Sequence, residues 1–409
     1  MAAAAKVILR ASRVVDGKSD KAFQNHSVLF QGDRISGIFP HGKEPPADQA
    51  IDCTGMTVLP GLIDAHVHLA FRSVKDRLRY QVTASPLLKA FYAAKHAKMT
   101  MDAGFTTIRT MGGEECMAVK QAIDEGVMVG PRLLVSGIVD MTCGHIDLIR
   151  HPSLPREPED TADGPWEVRK RVRQFVRAGR NFIKICTSGG VTSSLDEPDW
   201  RNYTLEEIQA ITDEAHHLGK KVAAHAHGNL GIKNAVRGGV DTIEHGIFLD
   251  DEAIDMMLKA GSYLVPTLAV AHAEMVRGHE AGLSEHAMEK AHRVHPIRMR
   301  SVNLAYKAGV KIVCGTDTAS IALHGENAKE LELLMEHGGL TAMEAIKSAT
   351  SVAAEAIAMD DCIGSLEQGK YADLLVIDGD PLADIKIFQD RAKIKAIYKG
   401  GKLIIPTPV

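Results

Sequence analysis

Short apolar runs alternate with longer amphipathic segments through the middle of the chain. Apolar residues recur at helical spacing in the linking segments, for example in Leu205–Leu218 and Asp251–Ala260. Continuous apolar runs are typical of strands buried on both faces, and their alternation with helices indicates an α/β fold. Eight such units predict a (β/α)8 TIM barrel, with a doubly wound sheet as the alternative. The runs are Gly61–Leu69, Thr106–Thr110, Arg132–Ser136, Phe182–Cys186, Val222–Ala226, Thr242–His245, Tyr263–Leu268 and Ile312–Asp317.

Both ends of the chain carry shorter strand-like runs that are separated by turn signals. Neither end has enough strands for a stable sheet of its own. We therefore expect one small β-domain built from residues 1–59 and 362–409, and the barrel at residues 60–361. The predicted strands are Lys6–Ser12, Ser27–Phe30, Arg34–Phe39, Ala372–Asp378, Lys393–Tyr398 and Lys402–Ile405.

Composition and charge narrow the class of protein. The chain has 409 residues, of which 45% are apolar, and a net charge of −4. These values argue against global disorder and against a nucleic-acid or membrane-surface partner, which would require a basic excess. The N-terminus lacks the apolar region of a signal peptide, and the six cysteines are scattered like reduced thiols. We expect a cytoplasmic homo-oligomer that acts on a small molecule.

Residues suited to metal binding end several of the apolar runs. The chain has 19 histidines, a high number for its length. In a barrel the carboxyl ends of the strands form one mouth, so side chains at these ends converge. Imidazoles and carboxylates at such a mouth are candidate metal ligands. The residues are His66, His68, Lys184, His225, His227, His245 and Asp317.

The spacing of the histidines separates candidate ligands from their neighbours. His66 and His68 are two residues apart in a strand, so both rings point to one face and can bind one ion. A bare pair of this kind is, however, more often a hydrogen-bonded structural pair. At the second pair we expect His225 to be the ligand and His227 to face the substrate. Asp317 ends a buried strand, where a carboxylate needs a metal or a role as a protonated base.

Lys184 stands out because it lies inside an apolar run, where a buried lysine is rare unless it is paired. Burial and nearby metal ions would lower its pKa and expose a neutral amine. Such an amine can react with CO₂ to give a carbamate that bridges two metals. The alternative is a lysine paired with a carboxylate at the strand end.

Loops at the same mouth are candidates for substrate contacts. His145 follows the third run and is a candidate substrate-binding residue, and the basic segment Arg72–Arg79 follows the first run. The loop Ser188–Trp200 is expected to be a flexible lid. Its carboxylates, Asp196, Glu197 and Asp199, could favour a basic substrate side chain. The acidic, proline-rich stretch His151–Gly164 is expected to be a surface loop.

These motifs together resemble the amidohydrolase superfamily over nearly the whole chain. The resemblance rests on Pro60–His68, Lys184, His225, Ile243–Gly246, Cys314–Asp317 and the tail Gly364–Leu374. It implies a metal-bearing (β/α)8 barrel with a small β-sandwich built from both ends. In the family pattern, His66, His68 and Asp317 bind one ion, His225 and His245 bind the other, and a carboxylated Lys184 bridges them. Zinc is favoured because four of the ligands are imidazoles.

The chain resembles the imidazolonepropionase-related group and, through the spacing around Lys184, its prolidase and metal-dependent carboxypeptidase branch. This implies a binuclear hydrolase of amide or peptide bonds, with Xaa-Pro dipeptides and N-acyl amino acids as the favoured substrates. Asp317 would act as the catalytic base, and His145 and His227 would contact the substrate. The alternatives are a carboxypeptidase for C-terminal Arg or Lys, a mononuclear imidazolonepropionase-like cyclic amide hydrolase or deaminase, and an inactive scaffold.

Overall fold

The computed structural model describes residues 4–76, 79–80, 83–149, 161–193 and 195–405. The predicted loop His151–Gly164 and the basic segment Arg72–Arg79 lie partly outside these residues, as does the N-terminal end of the chain. The strands of the described residues are β1 (Lys6–Val14), β2 (Phe23–Gln31), β3 (Arg34–Pro40), β4 (Gln49–Pro60), β5 (Leu62–Val67), β6 (Phe105–Thr110), β7 (Arg132–Val139), β8 (Phe182–Cys186), β9 (Val222–Ala226), β10 (Thr242–His245), β11 (Tyr263–Val265), β12 (Leu374–Asp378), β13 (Ile394–Lys399) and β14 (Lys402–Ile405).

Seven parallel strands, β5 to β11, form a nearly closed barrel in sequential order. A doubly wound sheet would reverse this order at a switch point, so that alternative is wrong. The eighth predicted run, Ile312–Asp317, forms isolated bridges rather than a regular strand. This segment nevertheless bonds to both edge strands of the barrel sheet. Val313 N donates to Leu264 O of β11 at 2.9 Å, and Ala65 N of β5 donates to Cys314 O at 2.9 Å. The complete (β/α)8 arrangement therefore stays a prediction.

The eighth run lacks a regular ladder because its backbone groups are used elsewhere. Cys314 N donates to Ser348 O at 2.9 Å, outside the sheet. Asp317 ends the run with a φ of 56°, a left-handed conformation that interrupts an extended strand. Periodicity alone could not reveal these contacts.

Helices cover the outside of the barrel, and local signals set several of their ends. Thr204 and Glu207 form a reciprocal capping box, and Asp250 accepts a hydrogen bond from Ala253 N at 2.8 Å. Among the described residues the helices are α1 (Pro86–Asp102), α2 (Glu114–Asp124), α3 (Gly164–Arg177), α4 (Leu205–His217), α5 (Asn229–Arg237), α6 (Asp251–Ala260), α7 (Leu268–Arg277), α8 (Glu285–Ala308), α9 (Lys329–Leu333), α10 (Ala342–Ser348) and α11 (Ser351–Ala356). No helix in this part of the chain is both long and apolar enough to cross a bilayer.

The two ends of the chain form one separate sheet, in the order β14-β13-β12-β4-β1-β2-β3. The N-terminal and C-terminal strands meet where β4 pairs with β12, with Leu59 opposite Leu375. This confirms a shared β-region, while the sandwich and the domain boundaries stay predictions. The sequence analysis missed β4, because Asp52, Thr54 and Gly55 interrupt its apolar pattern.

Candidate metal centre and active site

A cavity of about 560 Å³ lies at the mouth of the barrel. Its size is within the range of small-molecule sites. All eight residues singled out from the sequence line this cavity, although more than 250 positions separate the first from the last. They converge because the carboxyl ends of parallel strands meet at one face. These residues are His66, His68, His145, Lys184, His225, His227, His245 and Asp317.

The first ligand group consists of His66, His68 and Asp317, whose donor atoms lie within 4.8 Å of one another. Asp317 Oδ1 is 3.2 Å from His68 Nε2 and 3.6 Å from His66 Nε2. Burial opposes ionisation of Asp317, but the two imidazoles outweigh it and hold the pKa of this carboxyl below its usual value. The group therefore offers a carboxylate and two ring nitrogens at one point.

The second ligand group consists of His225, His227 and His245, also with donor atoms within 4.8 Å of one another. The ring centroids are 4.3 Å apart for His225 and His227, and 4.7 Å apart for His225 and His245. His227 therefore lies beside the expected ligands and is itself a candidate ligand, in addition to the substrate contact expected from the sequence. The roles within this group stay predictions.

Lys184 lies on β8, lines the same cavity as both ligand groups and is only 5% exposed. Its Nζ is buried and has no hydrogen-bond partner among the described residues. Burial lowers the pKa of this amine. Among the described residues, no ion pair includes Lys184. They therefore do not support the alternative of a lysine paired with a carboxylate.

This donor set fits a pair of divalent cations. It supplies two compact groups of nitrogen and oxygen donors and the Lys184 amine, which lacks a partner among the described residues. Metal binding requires neutral imidazoles, and burial lowers the pKa of His66 to about 4. Burial likewise places the pKa values of His225 and His245 well below the usual histidine value. The rings are therefore ready to donate lone pairs at neutral pH.

Glu244 and Arg109 support the first ligand group from behind. His66 Nδ1–H donates to Glu244 Oε2 at 2.6 Å, and Arg109 Nη2 donates to Glu244 Oε1 at 2.7 Å. Burial would raise the pKa of Glu244, but the charge of Arg109 and the bond from His66 hold it at about 2. The sequence analysis missed Arg109, yet it is a charged residue in an apolar strand, the same signal that singled out Lys184.

Asp64 joins strand β5 to the irregular segment that carries Asp317. Its carboxylate accepts bonds from His66 N at 3.1 Å and from Thr316 Oγ1 at 2.7 Å. Asn327 Nδ2 also donates to it at 2.7 Å. This network fixes the distance between the first two ligands and the third, and the sequence analysis did not identify it.

The loop after β8 is hydrogen-bonded to helix α8 and to His145. Lys290 Nζ on helix α8 donates to the backbone oxygens of Gly190, Ser193 and Asp196, at 3.0, 2.7 and 2.7 Å. The Asp196 carboxylate in turn accepts a bond from His145 Nδ1–H at 2.7 Å. The cation comes from a helix about 100 residues later in the chain. The flexible lid expected at Ser188–Trp200 stays a prediction.

His145 is positioned by this loop. Its ring stacks on His225 with centroids 4.5 Å apart. Gly190 allows the close approach, since a Cβ there would lie 1.9 Å from His145 Cε1. The Nδ1 of His145 is engaged by Asp196, which leaves Nε2 as the ring nitrogen available to a substrate.

Comparison with known proteins agrees with this geometry. Residues 57–404 match the amidohydrolase family. The ochratoxinase of Aspergillus niger is 34% identical over 367 residues, which cover 85% of this chain and 75% of that protein. A crystal structure of a Xaa-Pro dipeptidase with bound methionine in the active site has a TM-score of 0.91 and 35% identity, covering 98% and 100% of the two chains. A prolidase complexed with N-methylphosphonate-L-proline has a TM-score of 0.90 and 33% identity over 98% of this chain and 100% of that one.

Proposed function

The chain belongs to the amidohydrolase family and is a hydrolase that acts on carbon–nitrogen bonds, and we propose that it is a binuclear prolidase. Its substrates would be Xaa-Pro dipeptides and N-acyl amino acids. The observation that carries the binuclear assignment is the partnerless, buried amine of Lys184 beside two compact ligand groups. Similarity to a Xaa-Pro dipeptidase and a prolidase supports the substrate.

In this proposal His66, His68 and Asp317 hold one divalent ion, and His225 and His245 hold the other. When bound, two such ions polarise the scissile carbonyl and lower the pKa of water so that hydroxide is available near neutral pH. The neutral amine of Lys184 would form an N–C bond with CO₂ and release one proton, and the resulting anionic carbamate would help to hold both ions. Zinc is the expected metal because imidazoles dominate the donor set.

Asp317 is the proposed catalytic base. One-fifth of its side-chain surface is exposed, and this residue lines the cavity where the substrate would lie. The carboxylate would accept the proton of the attacking water and then deliver it to the leaving amine nitrogen. His145 Nε2 and the ring of His227 line the same cavity and would contact the scissile carbonyl oxygen.

The lining of the cavity favours an apolar C-terminal residue such as proline. Apolar side chains form much of the lining, among them Val191, Val270 and Ile321. Two of the three loop carboxylates that could favour arginine are already engaged. Asp196 bonds to His145, and Glu197 pairs with Arg293 at 2.6 Å. A carboxypeptidase for C-terminal Arg or Lys stays the alternative, because Asp76 and Glu274 also line the cavity.

Metal content and substrate preference together test the proposal. Protein purified without chelator is expected to contain two metal ions per chain by elemental analysis, and kcat/KM is expected to be highest for Xaa-Pro among Xaa-Pro, Xaa-Arg and cyclic amide substrates. A fully active enzyme with one metal ion would support the mononuclear alternative. A preference for Xaa-Arg would overturn the choice of proline. The homo-oligomeric state and the cytoplasmic location stay predictions.

A further inference from the structure

Arg298 brings an unused positive charge to the active-site cavity. It lies on helix α8, is only 2% exposed and contributes to the lining of the cavity. Its Nε and Nη1 atoms are buried and have no hydrogen-bond partner in the part of the chain that the structure describes. The sequence analysis gave no reason to select this residue, because it lies in the middle of an amphipathic helix rather than at a strand end.

A buried guanidinium without an anion is costly, because arginine stays charged at any pH at which the protein is folded. Within the described residues, Arg298 takes part in no ion pair. The nearby buried carboxylate of Glu330 instead accepts bonds from Leu268 N at 3.0 Å and Ala269 N at 2.6 Å. The donors of Arg298 therefore lack an acceptor within this part of the chain.

Two other cations near the cavity, Lys290 and Arg72, have partners of their own. Lys290 is used by three backbone oxygens of the loop after β8. Arg72 Nη1 donates to Tyr92 Oη, and its guanidinium lies 4.7 Å from the centroid of that ring. Arg72 is also partly exposed, whereas Arg298 is buried. A ligand anion would gain most from Arg298, since a charge-assisted bond is strongest where water is excluded.

The position of Arg298 suits a group next to the scissile bond. Arg298 lines the same cavity as His225, His227 and His245 of the second ligand group. The apolar side chains Val270 and Ile321 line the same cavity. A compact apolar residue at the ligand groups would thus have its charged end within reach of this arginine.

We infer that Arg298 binds the free α-carboxylate of the residue at the C-terminal side of the cleaved bond. The guanidinium offers a fixed positive charge and unused N–H donors, which a carboxylate oxygen can accept as a charge-assisted bond. The inference rests on the proposed function and extends it, because it names the group that restricts the enzyme to substrates with a free C-terminus. It also assigns this role to Arg298 rather than to the basic segment Arg72–Arg79.

A binding experiment tests the inference without requiring turnover. The thermal shift of the metal-loaded protein is measured with L-proline and with L-prolinamide, which lacks the negative charge. The wild-type protein is expected to bind L-proline more tightly, and the Arg298→Met variant is expected to lose this difference. Arg293→Met removes an exposed charge from the same helix and should keep it. Equal binding of the two ligands by the wild-type protein would overturn the inference.

Kinetics provide the second readout. In Arg298→Met, kcat/KM for an Xaa-Pro dipeptide should fall by about 30-fold or more, as expected when one partner of a buried charge pair is removed. The value for the amidated dipeptide should change little, and Arg298→Lys should recover part of the loss. A structural role through Glu330 would instead lower both values equally. If Arg72→Met rather than Arg298→Met removed the discrimination, the assignment to Arg298 would be wrong.

The two proposals fail in different ways. If the wild-type protein hydrolyses no dipeptide or N-acyl amino acid, the proposed function is wrong, while the thermal shifts still decide the role of Arg298. Folding of the variant is not expected to limit the test, because the substitution removes a buried charge whose desolvation has no compensating partner among the described residues. A melting temperature for Arg298→Met at or above that of the wild-type protein would agree with this.

Discussion

His66 Nδ1–H donates a 2.6 Å hydrogen bond to Glu244 Oε2, across 178 positions of the sequence. The bond fixes the tautomer of His66, so Nε2 carries the lone pair and faces Asp317. Glu244 is itself held by Arg109 and by Thr242 Oγ1 at 2.5 Å. A completely buried series of hydrogen bonds thus orients His66, one of the candidate metal ligands. Substitutions in this series and elsewhere in the site lead to testable predictions.

Replacing Glu244 by glutamine should weaken metal binding. The amide lacks the negative charge of Glu244, which orients His66 and makes its ring a stronger metal ligand. Loss of such a partner typically costs about 10- to 100-fold in metal affinity or activity. Competition with a chromophoric chelator measures the affinity. Glu206→Gln, an exposed change at the start of helix α4, is the control and should have no effect. Wild-type affinity in Glu244→Gln would mean that the bond to His66 does not support the site.

Replacing Arg109 by methionine should destabilise the fold. The change leaves the buried carboxylate of Glu244 without its cation, and breaking a buried pair in this way costs about 3–5 kcal/mol. Urea unfolding of metal-free protein, followed by circular dichroism, measures the loss. The double variant with Glu244→Gln should recover part of it, because the uncompensated charge is then gone. Equal stability of the single and double variants would contradict the pairing.

Replacing Lys184 by alanine should remove both metal and activity. Without the bridging carbamate the two ions would share no anionic ligand between the histidine groups. Short carboxylic acids such as acetate should restore part of both, since they can occupy the space of the carbamate. Elemental analysis and kcat/KM with and without acetate check this. An unmodified lysine side chain in the electron density of a metal-loaded crystal would count against carboxylation.

Replacing Asp317 by asparagine should preserve the fold and reduce turnover. The amide cannot accept the proton that the carboxylate would take, and general acid–base catalysis typically contributes about 10²–10⁴-fold. The measurement is kcat in protein whose metal content has been verified, so that lost ligation is separated from lost proton transfer. Unchanged kcat would remove Asp317 from the role of base.

Replacing Lys290 by methionine should loosen the loop that positions His145. Three backbone oxygens would lose their buried donor, and each unpaired buried group costs about 1–3 kcal/mol where water cannot replace the bond. We expect faster hydrogen–deuterium exchange in residues 188–200 and a lower melting temperature. Lys307→Met, an exposed change on the same helix, serves as the control. Unchanged exchange in this loop would show that Lys290 does not clamp it.

The sequence predicted the elements and most of the site because these features depend on neighbours along the chain. Largely apolar runs marked β8 and β9 closely, since a strand buried on both faces carries few polar side chains. The spacing of His66 and His68 placed both rings on one side of the strand, because side chains alternate there with a period of two. All eight chosen residues converge because the strands of a parallel barrel run in one direction, so their carboxyl ends lie at the same face.

The tertiary structure decided how these residues are held and what else reaches them. The segment Ile312–Asp317 contacts both edges of the nearly closed barrel without forming a regular strand, because its backbone also bonds to Ser348 outside the sheet. The loop after β8 bonds to Lys290, and the cavity gains Arg298 from the same helix. These contacts join residues far apart in the sequence. They arise only when the fold brings helix α8 against the mouth of the barrel, and local hydrophobic patterns do not reveal such distant partners.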